Sequence, residues 1–282
     1  GLTYTTSPPS IKCSPKAARR VYREKSTSAL SYLGVGHNSY SAISIGAEKT
    51  MTEPTDMNGA ESLVRTLIAG GVDVCFTNPG TSEMHFVAAL DKVPGMRCIL
   101  GLFEGVLTGA ADGYYRMGQK PASTLLHLGP GLANGLANLH NAKKANSGVV
   151  NVVGEHTTYH IKHDAPLTSD IEGVARPMSH WVRTSLTSED VSSDGAAAIE
   201  AATRAPGQIA TLILPADTAW GPASKVVTAT PPLPPSTVTN SAVTGAAELL
   251  TNGKTATLLL AGAALTEKGL KPNISVCRKK HF

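Results

Sequence analysis

Residues 72–105 read VDVCFTNPGTSEMHFVAALDKVPGMRCILGLFEG, and this stretch decides the fold. It begins with an apolar run over 72–76 that ends at the turn-forming triplet Asn-Pro-Gly at 78–80, which predicts a short β-strand. Ser82 suits the N-cap of a helix that continues to about Leu90. A second apolar run over 97–100 predicts another strand. The stretch therefore predicts a strand, a helix and a strand in succession.

The same alternation extends on both sides of this stretch. Before it, Ala60, Leu63, Val64, Leu67 and Ile68 recur at helical spacing, and a glycine pair then ends the helix. After it, the pattern predicts helices over 105–117 and 132–145 and strands over 123–127, 149–153 and 209–214. Apolar strands that alternate with helices are typical of an α/β fold, in which helices cover a parallel sheet on both faces.

Composition divides the chain into four parts. Residues 51–222 contain the alternating elements and form the predicted main domain. The Pro-rich segment 223–240 is predicted to be a stiff linker. Residues 241–282 predict the truncated start of a second, central α/β domain, with a helix over 242–250, a buried strand over 255–262 and a basic tail.

The remaining part, residues 1–50, is excluded from the predicted fold. It holds nine Ser, seven Lys or Arg and two Glu, without sustained apolar periodicity. This composition suits an organellar transit peptide, and a non-native leader before a start at Met51 or Met57 explains it equally well. The expected location is the cytoplasm, or a plastid or mitochondrion if the leader is a genuine transit peptide. We expect residues 1–50 and about 266–282 to be disordered or poorly packed.

The distribution of charge argues against nucleic-acid binding. The chain carries 25 Lys+Arg and 21 Asp+Glu, a net charge of +4. Residues 1–50 contribute +5 and residues 266–282 contribute +4, so residues 51–265 sum to −5. Because nucleic-acid-binding domains concentrate positive charge on their folded part, we expect no nucleic-acid partner. The longest mostly apolar run, 255–265, is too short to cross a bilayer, so no membrane partner is expected either.

Metal-binding residue types occur without a metal-binding pattern. The four cysteines have no CxxC spacing, which argues against a zinc site or a disulfide framework. His156, His160 and His163 have helical spacing, but Pro166 and the preceding predicted strand place them in a loop. No metal ligand is therefore predicted among these residues.

Polar or glycine-rich segments follow four predicted strands, at 78–83, 101–105, 127–134 and 154–156. In open α/β sheets, ligands bind beyond the carboxyl ends of the strands, so these segments are expected to meet at one edge. Glu104 is the most informative residue there, because it follows an apolar strand and precedes a helix start of small residues. It is either a partly desolvated catalytic carboxylate or a helix N-terminal Glu favoured by the helix dipole.

The residues around Glu104 carry a family resemblance. Residues 101–116 read GLFEGVLTGAADGYYR, and Lys120-Pro121, Gly129-Pro130-Gly131 and Asn134 follow them. Together they resemble the N-terminal, pyrimidine-binding domain of thiamine-diphosphate-dependent enzymes, nearest in pattern to the acetolactate synthase large-subunit and benzoylformate decarboxylase families. The resemblance covers about 57–222 and extends weakly to 265.

The resemblance implies roles for the matching residues. Glu104 matches the glutamate that hydrogen-bonds N1′ of the aminopyrimidine ring and so activates thiamine diphosphate. His127 and Thr81 match an active-site histidine and serine of benzoylformate decarboxylase, which implies a proton donor and a hydrogen-bond donor to the substrate carboxylate. The residues implied to bind the cofactor are Glu104, Pro79, Gly80, Gly129, Pro130, Gly131 and Asn134.

The resemblance also implies a second half of the cofactor site. Family members hold Mg²⁺ and the diphosphate in a C-terminal domain that carries Gly-Asp-Gly, a triplet that does not occur in this sequence. This chain alone is therefore expected to be inactive. The family further implies a homodimer or homotetramer, with close helix contacts at Ala110, Ala111 and Gly113, while FAD binding stays open.

The implied activity is that of a 2-keto acid decarboxylase or carboligase of the acetolactate synthase type. Residues 78–82 and 103–105 depart from the glycine-rich turn and the His-Glu-Gln of acetolactate synthases and are closer to the decarboxylase pattern. The acetolactate product therefore stays open. Two alternatives also remain open, namely a truncated, non-catalytic fragment and one chain of a split enzyme.

Overall fold

A computed structural model describes residues 57–280, apart from residues 233 and 235, with side chains described as far as Val276. The predictions for residues 1–50, and with them the transit peptide and its location, lie outside the described residues. Within the described part, no helix is long and apolar enough to span a bilayer.

The described part of the chain contains eight strands, nine α-helices and three short 3₁₀ helices. The strands are β1 (Met57–Asn58), β2 (Val74–Asn78), β3 (Arg97–Leu100), β4 (Ala122–Leu126), β5 (Val149–Glu155), β6 (Trp181–Thr184), β7 (Ile209–Pro215) and β8 (Pro222–Ala223). The helices are α1 (Gly59–Ala69), α2 (Met84–Lys92), α3 (Glu104–Gly118), α4 (Leu128–Lys144), α5 (Ile171–Ala175), α6 (Val191–Thr203), α7 (Ala216–Trp220), α8 (Asn240–Thr251) and α9 (Glu267–Lys280).

Six strands form one parallel sheet in the order β3-β2-β4-β5-β7-β6, which confirms the predicted fold class. The first strand of this sheet along the chain, β2, lies between β3 and β4, so the sheet grows from β2 in both directions. Such a reversal opens a crevice at the carboxyl ends of the strands. A ligand site is therefore expected at the carboxyl ends of β3, β2 and β4.

The sheet is covered on both faces because side chains along each buried strand alternate in direction. Leu125 and Val152 face a cluster that includes α1, α2 and α6, whereas Leu126 and Val153 face a cluster that includes α3, α4 and α5. All seven residues of both β5 and β7 are buried. These two strands are mostly apolar in sequence because neither face meets solvent, and Asn151, Glu155 and Thr211 are their buried polar residues.

The edge strand β6 was not predicted from the sequence. It has four residues, none of them fully buried, and the Arg183 guanidinium lies 5.4 Å from the centre of the Trp181 ring. A strand this short and half-exposed leaves too few apolar positions to form a recognisable run.

The prediction for the C-terminal part is correct for one element and wrong for another. The helix predicted over 242–250 is α8, which spans Asn240–Thr251. The buried strand predicted over 255–262 is absent: residues 255–261 have no regular structure and Leu259 is 97% exposed. An apolar run becomes a strand only where a neighbouring strand satisfies its backbone, and no strand pairs with this run within the described residues.

The basic tail was expected to be disordered or poorly packed, and the structure shows that it is helical. Residues Glu267–Lys280 form helix α9, although its described side chains are mostly exposed and Pro272 lies inside it.

Candidate active site

The polar segments that follow β2, β3 and β4 meet at one edge of the sheet. Asn78 is the last residue of β2, Glu104 begins α3 after β3, and His127 is the N-cap residue of α4 after β4. These three strands are neighbours in the sheet. Asn78 and His127, which are 49 positions apart in the sequence, therefore lie at the ends of adjacent strands. The predicted convergence at this edge is present.

The Glu104 carboxylate is held between two side-chain amides. Its Oε1 accepts a hydrogen bond from Asn78 Nδ2 at 3.0 Å, and its Oε2 accepts one from Asn134 Nδ2 at 3.0 Å. The residue is only 7% exposed, which agrees with the expected partial desolvation. A carboxylate has about four acceptor positions, so the two oxygens retain capacity to bind a further donor.

The interface between α3 and α4 keeps Glu104 close to Asn134. Thr108 Oγ1 donates to the backbone oxygen of Gly135 at 2.9 Å, and Asn138 Nδ2 donates to that of Gly105 at 2.6 Å. A Cβ on Gly135 would lie 2.9 Å from Thr108 Cγ2, so a larger residue would force the helices apart. The small residues after Glu104 therefore serve close packing within the chain.

One of the predicted intersubunit contacts lies in this internal packing. Ala111 is fully buried in the chain's own core, so the expectation that it meets another subunit is wrong. Ala110 is half-buried, and no heavy atom lies within 4 Å of a Cβ placed on Gly113. These two positions remain accessible.

The His127 ring is bound by a second buried carboxylate, that of Glu83. His127 Nδ1 lies 2.8 Å from Glu83 Oε2, and the same oxygen accepts the backbone N–H of Gly80 at 2.7 Å. Glu83 belongs to a short 3₁₀ helix, Thr81–Glu83, that follows the turn after β2.

The other predicted site residues divide into those near Glu104 and those elsewhere. A Cβ on Gly131 would lie 3.4 Å from Glu104 Oε1, so Gly131 adjoins the carboxylate. Gly129 instead lies against Ser169, whose hydroxyl a Cβ at that position would overlap. Thr81 and Pro130 are exposed, and the turn residues Pro79 and Gly80 are half-buried.

Two residues of this cluster, Asn78 and Glu83, were not predicted as site residues. Both lie in the segment 78–83 that was predicted to reach this edge, but neither was named among the site residues. The spacing of Glu83 three positions after Gly80 is the usual signal for a side chain that reaches back to an N-cap backbone N–H. That signal identifies the cap and gives no information about the histidine 44 positions later.

A third carboxylate, Glu155, lies at the end of β5. Burial raises its pKa above the ordinary range, and the charge of Glu83 adds to this rise, while the His156 backbone N–H, 2.7 Å from Glu155 Oε1, opposes it. The ends of β2, β4 and β5 thus bring two carboxylates and a histidine together.

The three histidines after β5 lie side by side in a loop that ends in a 3₁₀ helix. The ring centres of His156 and His160 are 5.9 Å apart, and those of His160 and His163 are 5.5 Å apart. Within the described residues, no group of three or more His, Cys, Asp or Glu side chains has an arrangement that could hold a metal ion.

Comparison with known proteins identifies relatives of this chain. Residues 57–174 match the family model described as the thiamine pyrophosphate enzyme, N-terminal TPP binding domain. The chain is 56% identical over 214 residues to the Mycobacterium tuberculosis protein named "Putative acetolactate synthase large subunit IlvX", covering 76% of this chain and 41% of that protein. It is 32% identical over 148 residues to benzoylformate decarboxylase from Pseudomonas aeruginosa, covering 52% of this chain and 28% of that protein.

A solved structure shares the fold. The thiamine diphosphate-dependent 4-hydroxybenzoylformate decarboxylase of Rhodococcus jostii RHA1 superposes with a TM-score of 0.63 at 23% identity, over 69% of this chain and 37% of that one. The chain thus spans less than half the length of these relatives.

Proposed function

Because residues 57–174 belong to the N-terminal domain family of thiamine pyrophosphate enzymes, we propose that this chain supplies the pyrimidine-binding half of a 2-keto acid decarboxylase or carboligase site. The observation that carries the proposal is the buried Glu104 carboxylate, held by Asn78 and Asn134 at the carboxyl edge of the sheet. An N-terminal dipole effect alone needs no burial and no pair of amide donors.

The donor and acceptor set around Glu104 fits an aminopyrimidine ring. A flat, neutral ring with hydrogen-bonding nitrogens needs one well-placed carboxyl group and glycines that allow close approach, and Glu104 and Gly131 provide both. Thiamine diphosphate, when bound, supplies the carbon nucleophile and the electron sink for 2-keto acid chemistry. Glu104 would hold a proton at the oxygen facing N1′, while Asn78 and Asn134 keep the carboxyl group from rotating.

The substrate end of the proposed site consists of His127 and Thr81. The Thr81 side chain is exposed beside the turn and is available to donate to a substrate carboxylate. His127 has a ring nitrogen, Nε2, that makes no hydrogen bond within the described residues. We assign His127 to proton transfer and Thr81 to carboxylate binding, as in a decarboxylase of the benzoylformate type. The same arrangement of Glu104, His127 and Thr81 would also suit an acetolactate synthase-like carboligase.

Mg²⁺ and the diphosphate need hard oxygen ligands in a fixed arrangement. We propose that these ligands come from a C-terminal domain of the whole protein. A second candidate, a non-catalytic fragment, shares the fold but predicts no ligand contact at Glu104.

We expect thiamine diphosphate to perturb a small group of amides in this chain. In a ¹H–¹⁵N NMR titration at millimolar ligand, the signals of Asn78, Gly105, Gly131 and Asn134 should shift, because they surround the Glu104 carboxylate. The Glu104→Gln variant should lose most of these shifts, and the matched control Glu248→Gln, at an exposed helix position, should keep them. Shifts scattered over the surface, or none, would favour the non-catalytic fragment.

We also propose that any active form is at least a homodimer, or a homotetramer. Val106, Ala110, Gly113 and Met117 recur along one face of α3, and Val106 and Met117 are 61% and 89% exposed. An apolar stripe of this kind marks an interaction surface. Met117 also lines a shallow groove with Phe76 and Tyr114.

Replacement of Met117 by Lys should weaken self-association by about 10-fold or more, because a charge would have to be buried at the contact. Analytical ultracentrifugation over a concentration series measures this effect. The control is Leu186→Lys, at a residue that is 73% exposed in another part of the chain. A catalytically active monomer would contradict the proposal.

A further inference from the structure

Glu83 Oε2 is shared by two donors. It accepts the Gly80 N–H at 2.7 Å and lies 2.8 Å from His127 Nδ1, and the Glu83 side chain is 1% exposed. An ionised carboxylate has acceptors and no donor, so beside ionised Glu83 the proton in the second contact would belong to Nδ1. Since the bond made by one ring nitrogen fixes the state of the other, the contact determines the chemistry of Nε2.

We propose that Glu83 is a positioning residue that keeps His127 in the tautomer with its proton on Nδ1, so that Nε2 exchanges protons with the substrate. This inference rests on the proposed function for the role of His127, but the tautomer itself does not depend on it. The His127 side chain is 23% exposed, while the Glu83 side chain is buried. Nδ1 faces the carboxylate, so Nε2 is the ring nitrogen left to contact a substrate.

Two glycines make room for this pair. A Cβ on Gly80 would overlap Cε1 and Nδ1 of the His127 ring, and a Cβ on Gly154 would overlap Glu83 Oε1. Side chains at either position would separate the ring from the carboxylate. The pair therefore depends on the turn after β2 and on the end of β5, which are far apart in the sequence.

The burial of Glu83 has a cost that a backbone cap does not explain. Glu83 Oε1 is buried and has no hydrogen-bond partner within the described residues. Leaving such an atom unpaired is unfavourable, and a neutral Ser or Asn satisfies a single backbone N–H without a buried charge. A negative charge beside a histidine is useful where the ring becomes cationic, because the carboxylate then stabilises the imidazolium.

The proton balance of 2-keto acid decarboxylation requires a proton donor, and Nε2 of His127 can fill this role. Decarboxylation of a 2-keto acid releases carbon dioxide and consumes one proton, which replaces the lost carboxylate on the former keto carbon or is taken up by the oxygen of a carbonyl acceptor. Nε2 of the imidazolium donates that proton and recovers another from water, while the proton on Nδ1 stays hydrogen-bonded to Glu83. Three carboxylates surround His127: Glu83 contacts its ring, Glu155 interacts with Glu83, and Glu104 lies across Gly131 from it.

The tautomer can be read directly from the isolated chain. Long-range ¹H–¹⁵N spectra of the histidine rings show which nitrogen carries the proton, and His127→Asn identifies the His127 signals among those of nine histidines. We expect protonated Nδ1 and bare Nε2 in the neutral ring. A wild-type ring with its proton on Nε2 would overturn the proposal whatever the variants do.

Two Glu83 variants separate geometry from charge. Glu83→Ala removes the acceptor, so the ring should shift towards the Nε2–H tautomer. In Glu83→Gln, the amide oxygen replaces Oε2 and accepts both donors, so the Nδ1–H tautomer should persist without the charge. Backbone spectra unchanged beyond residues 78–83, 127–131 and 154–156 would show that both variants fold. An unchanged tautomer in folded Glu83→Ala would contradict the proposal.

Activity provides an independent test once a complementing C-terminal domain is supplied. Glu83→Gln should lower kcat about 10²-fold with little change in KM, because proton transfer is affected and substrate binding is not. If the wild-type assembly releases no carbon dioxide, the proposed function fails while the tautomer result stands. If the wild type is active and folded Glu83→Ala, which loses the acceptor, has wild-type kcat, the positioning role fails alone.

Discussion

Isothermal titration calorimetry of the isolated 282-residue chain is expected to detect no tight, Mg²⁺-dependent binding of thiamine diphosphate. The proposed contacts of this chain reach the neutral aminopyrimidine through Glu104 and its neighbours. Hydrogen bonds of this kind contribute about 1 kcal/mol each, and association itself has an entropic cost of several kcal/mol. The resulting affinity is about millimolar at best.

Addition of a C-terminal fragment from a relative that carries Gly-Asp-Gly should change this result. The complemented site should bind the cofactor at least about 10²-fold more tightly, equivalent to about 2.7 kcal/mol, and binding should require Mg²⁺. It should also release carbon dioxide from a 2-keto acid. The intact relative is the positive control, and the fragment without this chain is the negative control. Micromolar, Mg²⁺-dependent binding by this chain alone would mean that it holds its own diphosphate site.

The order of secondary structure was predictable because the central strands are buried on both faces. Strands such as β5 and β7 have apolar residues at most of their buried positions, so they stand out in the sequence although Asn151 and Thr211 are polar. The same rule failed at residues 255–262, which are equally apolar but have no strand beside them among the described residues. An apolar run can form a strand, but it does so only where another strand lies beside it and pairs with its backbone.

Individual site residues could be predicted from the sequence where their position or a family motif marks them. Glu104 was selected by its position after an apolar strand and then by the family pattern, and Asn134 by the family pattern alone; the structure joins them by a hydrogen bond between two helices. The meeting of segments 78–83 and 127–134 was predicted, but the pairing of Glu83 with His127 within it was not, because it requires β2 and β4 to be neighbours in the sheet. Such contacts depend on strand order, which local sequence does not encode.

Glu104→Gln is expected to reduce carbon dioxide release by the complemented enzyme by about 10²–10³-fold or more, because an amide cannot exchange a proton with the aminopyrimidine ring. The fold should survive. Gln has nearly the same shape, and rotation of one neighbouring amide, at Asn78 or Asn134, restores a donor–acceptor pair on each side. The destabilisation should therefore stay near about 1 kcal/mol.

The rate of carbon dioxide release and the unfolding midpoint, measured on the same preparations, separate a chemical role from a structural one. Glu248→Gln changes the same functional group at an exposed position and should leave both values unchanged. Asn134→Leu should affect both, since it leaves one Glu104 oxygen buried without its donor. Full activity in Glu104→Gln would remove this carboxylate from the mechanism. A large loss of stability in the same variant would instead assign Glu104 to packing between α3 and α4.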